Sequence, residues 1–143
     1  SAARFAKSLS LPVAAGNKER VSDTKVIISG LVGNQVKGHK RALIYDDEIA
    51  TGGSITELTR VLIKEGVREI LVMCTHGVFT RGGLEKLAAI PQIKEIVTTD
   101  TVHIPKRKRH PKLTVLSVAN IFADSIGHNF NRESIGDLFV FGE

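Results

Sequence analysis

The segment from Arg41 to Ser54, RALIYDDEIATGGS, limits the possible folds of this chain more than any other. An apolar run, 42–45, leads into two adjacent acids, Asp46 and Asp47, and a turn with two glycines follows. Beyond the turn, apolar residues return at the spacing of one helix face, at Ile55, Leu58 and Leu62. The pattern predicts a buried strand, a glycine turn and a helix, in that order.

The glycine turn has the residue types that hold a phosphate group. Glycines let successive backbone N–H groups approach an anion, hydroxyl groups can donate to it, and the start of the next helix adds a favourable dipole. The acid pair suits a different target, either the hydroxyl groups of a sugar or a divalent cation. Together they predict a phosphorylated-sugar site formed by Asp46, Asp47, Ala50, Thr51, Gly52, Gly53 and Ser54.

Each part of this segment also has an ordinary structural explanation. Glycine turns before helices are common, and two acids at the end of a strand are most often a solvated cap. The functional interpretation depends on finding all the parts together. If it is correct, a β-branched side chain at Gly52 is expected to fill the space that the phosphate needs.

Strand and helix patterns alternate along the rest of the chain. Helices are predicted at 2–9, 54–66, 81–89 and 120–130, strands at 11–15, 26–31, 41–45, 69–75, 93–97 and 113–118, and a polar loop at 17–24. This alternation predicts an α/β fold, a mostly parallel sheet flanked by helices on both faces. In such folds ligands bind beyond the carboxyl ends of the strands, where the acid pair and the glycine turn lie.

Composition limits the cellular compartment and the class of ligand that we expect for this chain. The net charge of +5 permits an anionic ligand, either a phosphorylated metabolite or a nucleic acid. No apolar run has the length of a membrane span, and the start lacks a signal-peptide pattern. The single cysteine, Cys74, lies in an apolar run and is expected to be a buried thiol, which favours a reducing, cytoplasmic compartment.

Other polar features are expected to be structural. The basic run Lys106–His110 lacks interleaved aromatic residues, so a solvated loop is favoured over a nucleic-acid patch. His76 follows a predicted strand and could line a nucleotide site or serve the fold alone. His103, His110 and His128 show no ligand spacing with a cysteine or a second histidine, so a zinc site is not predicted.

Several segments carry a resemblance to a known family. DDEIATGGS, MCTHGVFTRGGLEKL, IKEIVTTDTVHIP, LTVLSVANIFADSI and RESIGDLF, in that order, resemble the C-terminal half of ribose-phosphate pyrophosphokinase, or phosphoribosyl-pyrophosphate synthetase. The sugar-phosphate segment is shared with type I phosphoribosyltransferases in general, which have a Rossmann-like fold. The chain begins within a helical pattern that no strand precedes, so we expect a fragment of a larger polypeptide. The resemblance implies that residues 1–143 are one such domain, the C-terminal half of a two-domain protein.

The resemblance implies an activity and a set of roles. Members of the family transfer the pyrophosphoryl group of ATP to O1 of ribose 5-phosphate with Mg²⁺, and they are homo-oligomers. The turn 50–54 matches the 5-phosphate loop, and the acid pair matches residues that engage the ribose hydroxyls and reach the metal only through the substrate. Lys18 matches the catalytic lysine and Arg20 its partner, on a flexible loop that closes over ATP. Ser134 matches a regulatory phosphate site.

Three departures from the family pattern keep other functions open. Ala50 stands where the family has an acid, Glu19 where it has an arginine, and Gly136 where it has a second serine, which puts inhibition by ADP in doubt. Ala50 and Glu19 make a non-catalytic regulatory homologue one alternative. A stand-alone phosphoribosyltransferase is another, and the missing base-recognition hood argues against it. Because the ATP-binding half is absent from these residues, the chain alone is expected to bind ribose 5-phosphate weakly without turnover.

Overall fold

The computed structural model describes residues 2–22, 25–32 and 38–138, and these form two sheets and several helices. The helices are α1 (Ala2–Ser8), α2 (Gly53–Lys64), α3 (Gly83–Ala88) and α4 (Ala119–Asn131). The strands are β1 (Ala15–Ser22), β2 (Lys25–Val32), β3 (Arg41–Ile49), β4 (Glu69–Gly77), β5 (Ile93–Thr99) and β6 (Leu113–Leu116).

The larger sheet is parallel and follows chain order, β3-β4-β5-β6. Parallel neighbours need a connection that crosses the sheet, and α2 and α3 supply the first two. In the register of the first pair, Asp46 lies opposite Cys74 and Glu48 opposite His76, so the carboxyl ends of β3 and β4 lie side by side. The predicted α/β fold with a mostly parallel sheet is confirmed.

The core fills one face of this sheet, because β-branched residues alternate along the strands. Val72 and Ile96 from the strands are fully buried, and they belong to the same apolar cluster as Leu62 of α2 and Leu87 of α3. On the other face, the ring of Phe5 in α1 stacks on Tyr45 of β3 with 5.2 Å between the centroids. Helices therefore lie on both faces of the sheet, as the alternation predicted.

The amino-terminal part differs from the sequence prediction. Residues 11–14 are irregular rather than a strand, and the polar segment predicted as a loop is largely strand β1, antiparallel to β2. The apolar, β-branched β2 offers an edge for backbone pairing, and this pairing outweighs the polarity of 17–20. Of the loop and turn residues predicted around this hairpin, 23, 24 and 33–37 lie outside the described residues.

The last long helix forms as predicted, but its apolar side faces solvent. Helix α4 covers the amphipathic stretch 120–130, yet Ile121, Phe122, Ile126 and Phe130 are 59–85% exposed. None of its residues is buried. The period of the pattern correctly predicted the helix, but not how it packs.

Candidate functional site

The acid pair lies where β3 reaches the carboxyl end of the parallel sheet. Asp46 is half-buried and Asp47 is exposed, because successive side chains of a strand point to opposite faces. The backbone N–H of Asp47 donates to Oδ1 of Asp46 at 3.0 Å, and that of Glu48 donates to Oδ1 of Asp47 at 3.0 Å. These two hydrogen bonds hold both carboxylates at the end of the strand.

These contacts keep Asp47 ionised. The pKa of Asp47 is lowered, first by the side-chain hydrogen bond with Asp46 and then by the backbone N–H groups of Asp47 and Glu48. His76 on the neighbouring strand lowers it further by charge attraction. Asp47 therefore carries a full negative charge at neutral pH and can accept hydrogen bonds from hydroxyl groups or bind a hard cation.

The glycine turn follows at once and opens towards solvent. Gly52 has φ +71° and precedes the first residue of α2, and its carbonyl accepts from the Thr56 backbone N–H at 2.9 Å and hydroxyl at 2.8 Å. Thr51 and Gly53 are exposed and Ser54 is half-buried. The N-cap residue Gly52 makes no side-chain cap, so an external anion could accept from the first N–H groups of α2 and would be favoured by its dipole.

The reason for a glycine at position 52 differs from the one predicted. A Cβ added there would lie 3.1 Å from Cγ of Leu87 and 3.2 Å from the carbonyl oxygen of Gly83, both in α3. It would crowd the core rather than fill an open phosphate space. Gly53 is the open position, since its Cβ would meet only the Thr51 hydroxyl oxygen, at 3.7 Å.

Helix α3 packs behind the turn, a contact that was not predicted from the sequence. The Lys86 ammonium donates to the carbonyl oxygen of Thr51 at 3.2 Å. The backbone of Gly83 lies so close to Ala50 that a Cβ would clash with its carbonyl oxygen. The pair Gly82-Gly83 was the available signal, because adjacent glycines before a helix often mark a close approach of two backbone segments.

A second polar cluster lies at the carboxyl ends of β4 and β5. Nδ1 of His76 lies 2.9 Å from the Thr101 hydroxyl oxygen, and the hydroxyls of Thr99 and Thr101 both donate to the carbonyl oxygen of Thr75. His76 lies opposite Glu48 in the strand register. The structure therefore brings His76 to the edge that carries the acid pair, held by threonines.

The other residues implied by the family resemblance lie in different parts of the chain. Lys18 and Arg20 belong to strand β1 of the hairpin rather than to a loop, and their side chains lie outside the described part of the structure. Ser134 follows α4 and is exposed, with its hydroxyl oxygen accepting from the Gly136 N–H at 3.0 Å. Their proposed roles stay predictions.

The remaining features of the sequence have structural positions. Lys106–Lys108 form an exposed single turn, which agrees with a solvated loop. Cys74 is buried as expected, with its sulfur 3.4 Å from the Thr98 hydroxyl oxygen. Within 2–22, 25–32 and 38–138, no helix has the length and apolar character to cross a membrane, and no three acidic, histidine or cysteine residues cluster as metal ligands.

Comparisons with known proteins converge on one group. Residues 4–140 match the family described as phosphoribosyl synthetase-associated domain. A Streptomyces coelicolor protein, provisionally named a ribose-phosphate pyrophosphokinase, is 41% identical over 96% of this chain and 43% of its own length. The ribose-phosphate pyrophosphokinase of Synechococcus elongatus is 35% identical over 94% of this chain and 40% of its own length.

A solved structure agrees with these relatives. The phosphoribosylpyrophosphate synthetase of Mycobacterium smegmatis superposes with a TM-score of 0.78 at 33% identity. The match covers 92% of this chain and 41% of that protein. The chain thus spans about two fifths of the length of the relatives and of the structure that it matches.

Proposed function

The chain belongs to the phosphoribosyl synthetase-associated domain family, and from this we propose that it is the ribose-5-phosphate-binding portion of a ribose-phosphate pyrophosphokinase. The complete enzyme transfers the pyrophosphoryl group of ATP to O1 of ribose 5-phosphate, giving phosphoribosyl pyrophosphate and AMP for nucleotide biosynthesis. One observation carries the proposal: the adjacent acids Asp46 and Asp47, of which Asp47 is ionised, and an open glycine turn lie together at the carboxyl end of β3.

In this proposal the two parts of the site hold the two ends of one substrate. The 5-phosphate lies against the turn 50–54, where the backbone N–H groups and the dipole of α2 favour an anion. The exposed hydroxyl of Thr51 and the half-buried hydroxyl of Ser54 donate to it. Asp46 and Asp47 accept hydrogen bonds from the ribose 2- and 3-hydroxyls, which fixes the sugar relative to the phosphate.

The residues at this site fit Mg²⁺ held jointly with the substrate. Asp47 is exposed and ionised, Asp46 is adjacent to it, and carboxylate oxygens suit a hard cation. Asp46 and Asp47 would hold the ion together with oxygen atoms of the substrate. When bound, the ion neutralises charge on the ATP phosphates and orients the reacting hydroxyl.

The proposed catalytic residues are Lys18 and Arg20 of the hairpin. Their positive charges stabilise the transferring pyrophosphoryl group and the departing AMP. Because the matched relatives are more than twice as long as this chain, the proposal gives the remaining part of such an enzyme the ATP site. The proposed enzyme is a cytoplasmic homo-oligomer, and the 143-residue chain alone binds sugar phosphate without turnover.

The test is a titration of the ¹⁵N-labelled chain with ribose 5-phosphate, with and without Mg²⁺. We expect amide shifts confined to 46–54, and about a ten-fold or greater loss of affinity in Asp46→Asn or Asp47→Asn, because each loses a charged hydrogen-bond acceptor. Asp124→Asn, an exposed acid on α4, is the matched control and should bind like the wild type. Binding that is absent, or unchanged in both site variants, would refute the proposal.

A regulatory homologue is the second candidate, and Ala50 is the observation that favours it. Ala50 is half-buried in the turn, where the resembling enzymes carry an acid. If the missing carboxylate impairs a catalytic site, Ala50→Asp in a full-length parent should raise its synthetase rate. An unchanged high rate would favour the enzyme. Base-dependent release of pyrophosphate from phosphoribosyl pyrophosphate would instead indicate a phosphoribosyltransferase.

A further inference from the structure

Helix α3 touches the phosphate loop, defined here as Ala50–Ser54, through backbone atoms. A Cβ on Gly83 would clash with the carbonyl oxygen of Ala50 and lie 3.1 Å and 3.3 Å from the carbonyl carbon and Cα of Thr51. The contact therefore requires a residue without a side chain. Gly83 has φ −60°, an ordinary helical value, so close packing explains this glycine and backbone conformation does not.

A second contact fixes the middle of the loop. Gly52 is buried, and the position of its missing Cβ lies 3.1–3.3 Å from two carbon atoms of Leu87. Leu87 is itself fully buried in the apolar cluster that α2 and the sheet share. Since protein interiors transmit small displacements, a shift of α3 would move this part of the loop.

The third contact adds a charge. The Lys86 ammonium donates to the Thr51 carbonyl oxygen at 3.2 Å, one turn along α3 from Gly83. This hydrogen bond holds the Thr51 peptide, and it places a cation beside the loop to which the proposed function assigns an anion. The side chain is exposed, so salt would screen its charge.

We infer that α3 sets the geometry of the phosphate loop, with Gly83 and Lys86 as positioning residues. Neither residue is assigned to the ligand: Gly83 lets the helix start against the loop, and Lys86 orients the Thr51 peptide. The nature of the anion rests on the proposed function, whereas the positioning of the loop does not. An anion site loses affinity when its donors move by a fraction of an ångström, which is why a residue behind the loop affects binding.

The experiment compares two pairs of variants in the 143-residue chain. Gly83→Ala is matched by Gly127→Ala, because a Cβ at Gly127 in α4 meets nothing within 4 Å. Lys86→Met is matched by Lys94→Met, since the exposed Lys94 also donates to a backbone carbonyl, that of Pro91 at 2.9 Å, on another part of the surface. Lys86→Arg tests rescue by a second cation.

The first readout needs no ligand. In ¹H–¹⁵N spectra, Gly83→Ala and Lys86→Met should shift the amides of 50–53, and the two controls should leave them in place. If neither site variant moves these amides, the inference is overturned. Thermal melting of each variant identifies any that fails to fold. If Gly83→Ala does not fold, the Lys86→Met and Lys86→Arg variants alone test the inference.

The second readout is the affinity for ribose 5-phosphate at two salt concentrations. We expect Kd to rise about ten-fold in Gly83→Ala because the loop is displaced. In Lys86→Met we expect a rise of about three-fold at low salt that shrinks at high salt and is restored by Lys86→Arg. A wild-type chain that binds no sugar phosphate contradicts the proposed function, whereas unchanged affinity and unmoved amides in both site variants contradict the inference.

Discussion

Alanine should have different effects at the two adjacent glycines of the phosphate loop, on stability at Gly52 and on anion binding at Gly53. Gly52 has φ +71° and points into the core, whereas Gly53 has no positive φ and faces open space. Gly52→Ala should therefore lower stability, and Gly53→Ala should lower affinity for the anion. The pair separates the role of the turn in folding from its role in binding.

The structure gives a magnitude for Gly52→Ala. A left-handed conformation costs a residue with a side chain about 1–2 kcal/mol, and crowding a packed core costs about 1–3 kcal/mol. The nearest carbon atoms lie at 3.1 Å and 3.3 Å and belong to Leu87, which has no exposed surface, so the crowding cannot be relieved into solvent. We expect a loss of about 2–5 kcal/mol, a large share of the stability of a domain this size.

The same reasoning predicts a different outcome for Gly53→Ala. Gly53 is the first residue of α2 and is exposed, with only the Thr51 hydroxyl oxygen near its missing Cβ, at 3.7 Å. Alanine is the better helix former, so the melting temperature should hold or rise by a few degrees. The added methyl group instead occupies space beside the N–H groups of the loop, and Kd for ribose 5-phosphate should rise about ten-fold.

The assay is thermal unfolding by circular dichroism, with calorimetric titration of ribose 5-phosphate on each folded variant. At about 4 °C per kcal/mol, Gly52→Ala should melt about 8–20 °C below the wild type. If Gly52→Ala melts like the wild type, the assignment of its Cβ direction to the core is wrong. If Gly53→Ala binds like the wild type, the anion does not lie on the exposed side of the turn.

Three further predictions concern titrating groups. The Asp47 carboxyl should titrate below its ordinary pKa of 3.8 in ¹³C spectra, because Asp46 hydrogen-bonds to it. In Asp46→Ala the pKa of Asp47 should move back towards 3.8. A midpoint at or above 3.8 in the wild type would contradict this contact. The Ser117 hydroxyl and the Val118 N–H lower the pKa of Asp100, so its contribution to stability is complete above the unfolded pKa and is lost as pH falls through the folded one. Asp100→Asn should therefore melt below the wild type at neutral pH and close to it in acid, and a constant difference would be inconsistent with this linkage. Burial raises the pKa of the Cys74 thiol. Iodoacetamide at pH 8 should therefore label the native chain at least about ten times more slowly than the urea-unfolded chain. Equal labelling rates would show that the thiol is accessible in the native chain.

The parts of the fold that depend on local pattern could be predicted from the sequence. The run 42–45, the acid pair and the glycine turn are contiguous, and each part has a strong preference for one conformation. The predicted helix after the turn begins one residue early, at Gly53, and ends before Gly66 as expected. The parallel sheet followed from the alternation of strands and helices alone.

The features that could not be predicted from the sequence depend on contacts between residues that are distant in the chain. Strand β1 is polar and becomes a strand through its pairing with β2, a long-range gain that its own composition does not reveal. Gly83 lies about thirty residues after the loop that it touches, and no period links the two positions. The helical spacing of its apolar residues was enough to predict α4, but this spacing does not reveal whether another surface covers the apolar side.

The uncovered side of α4 has a practical consequence for anyone who purifies this chain. Phe130 is 85% exposed and Ile126 is 67% exposed, which leaves an apolar patch on the surface of a 143-residue chain. Such a patch binds hydrophobic dyes, adsorbs to plastic and promotes aggregation as the protein concentration rises. Mild detergent and dilute samples are therefore sensible starting conditions for the measurements proposed above.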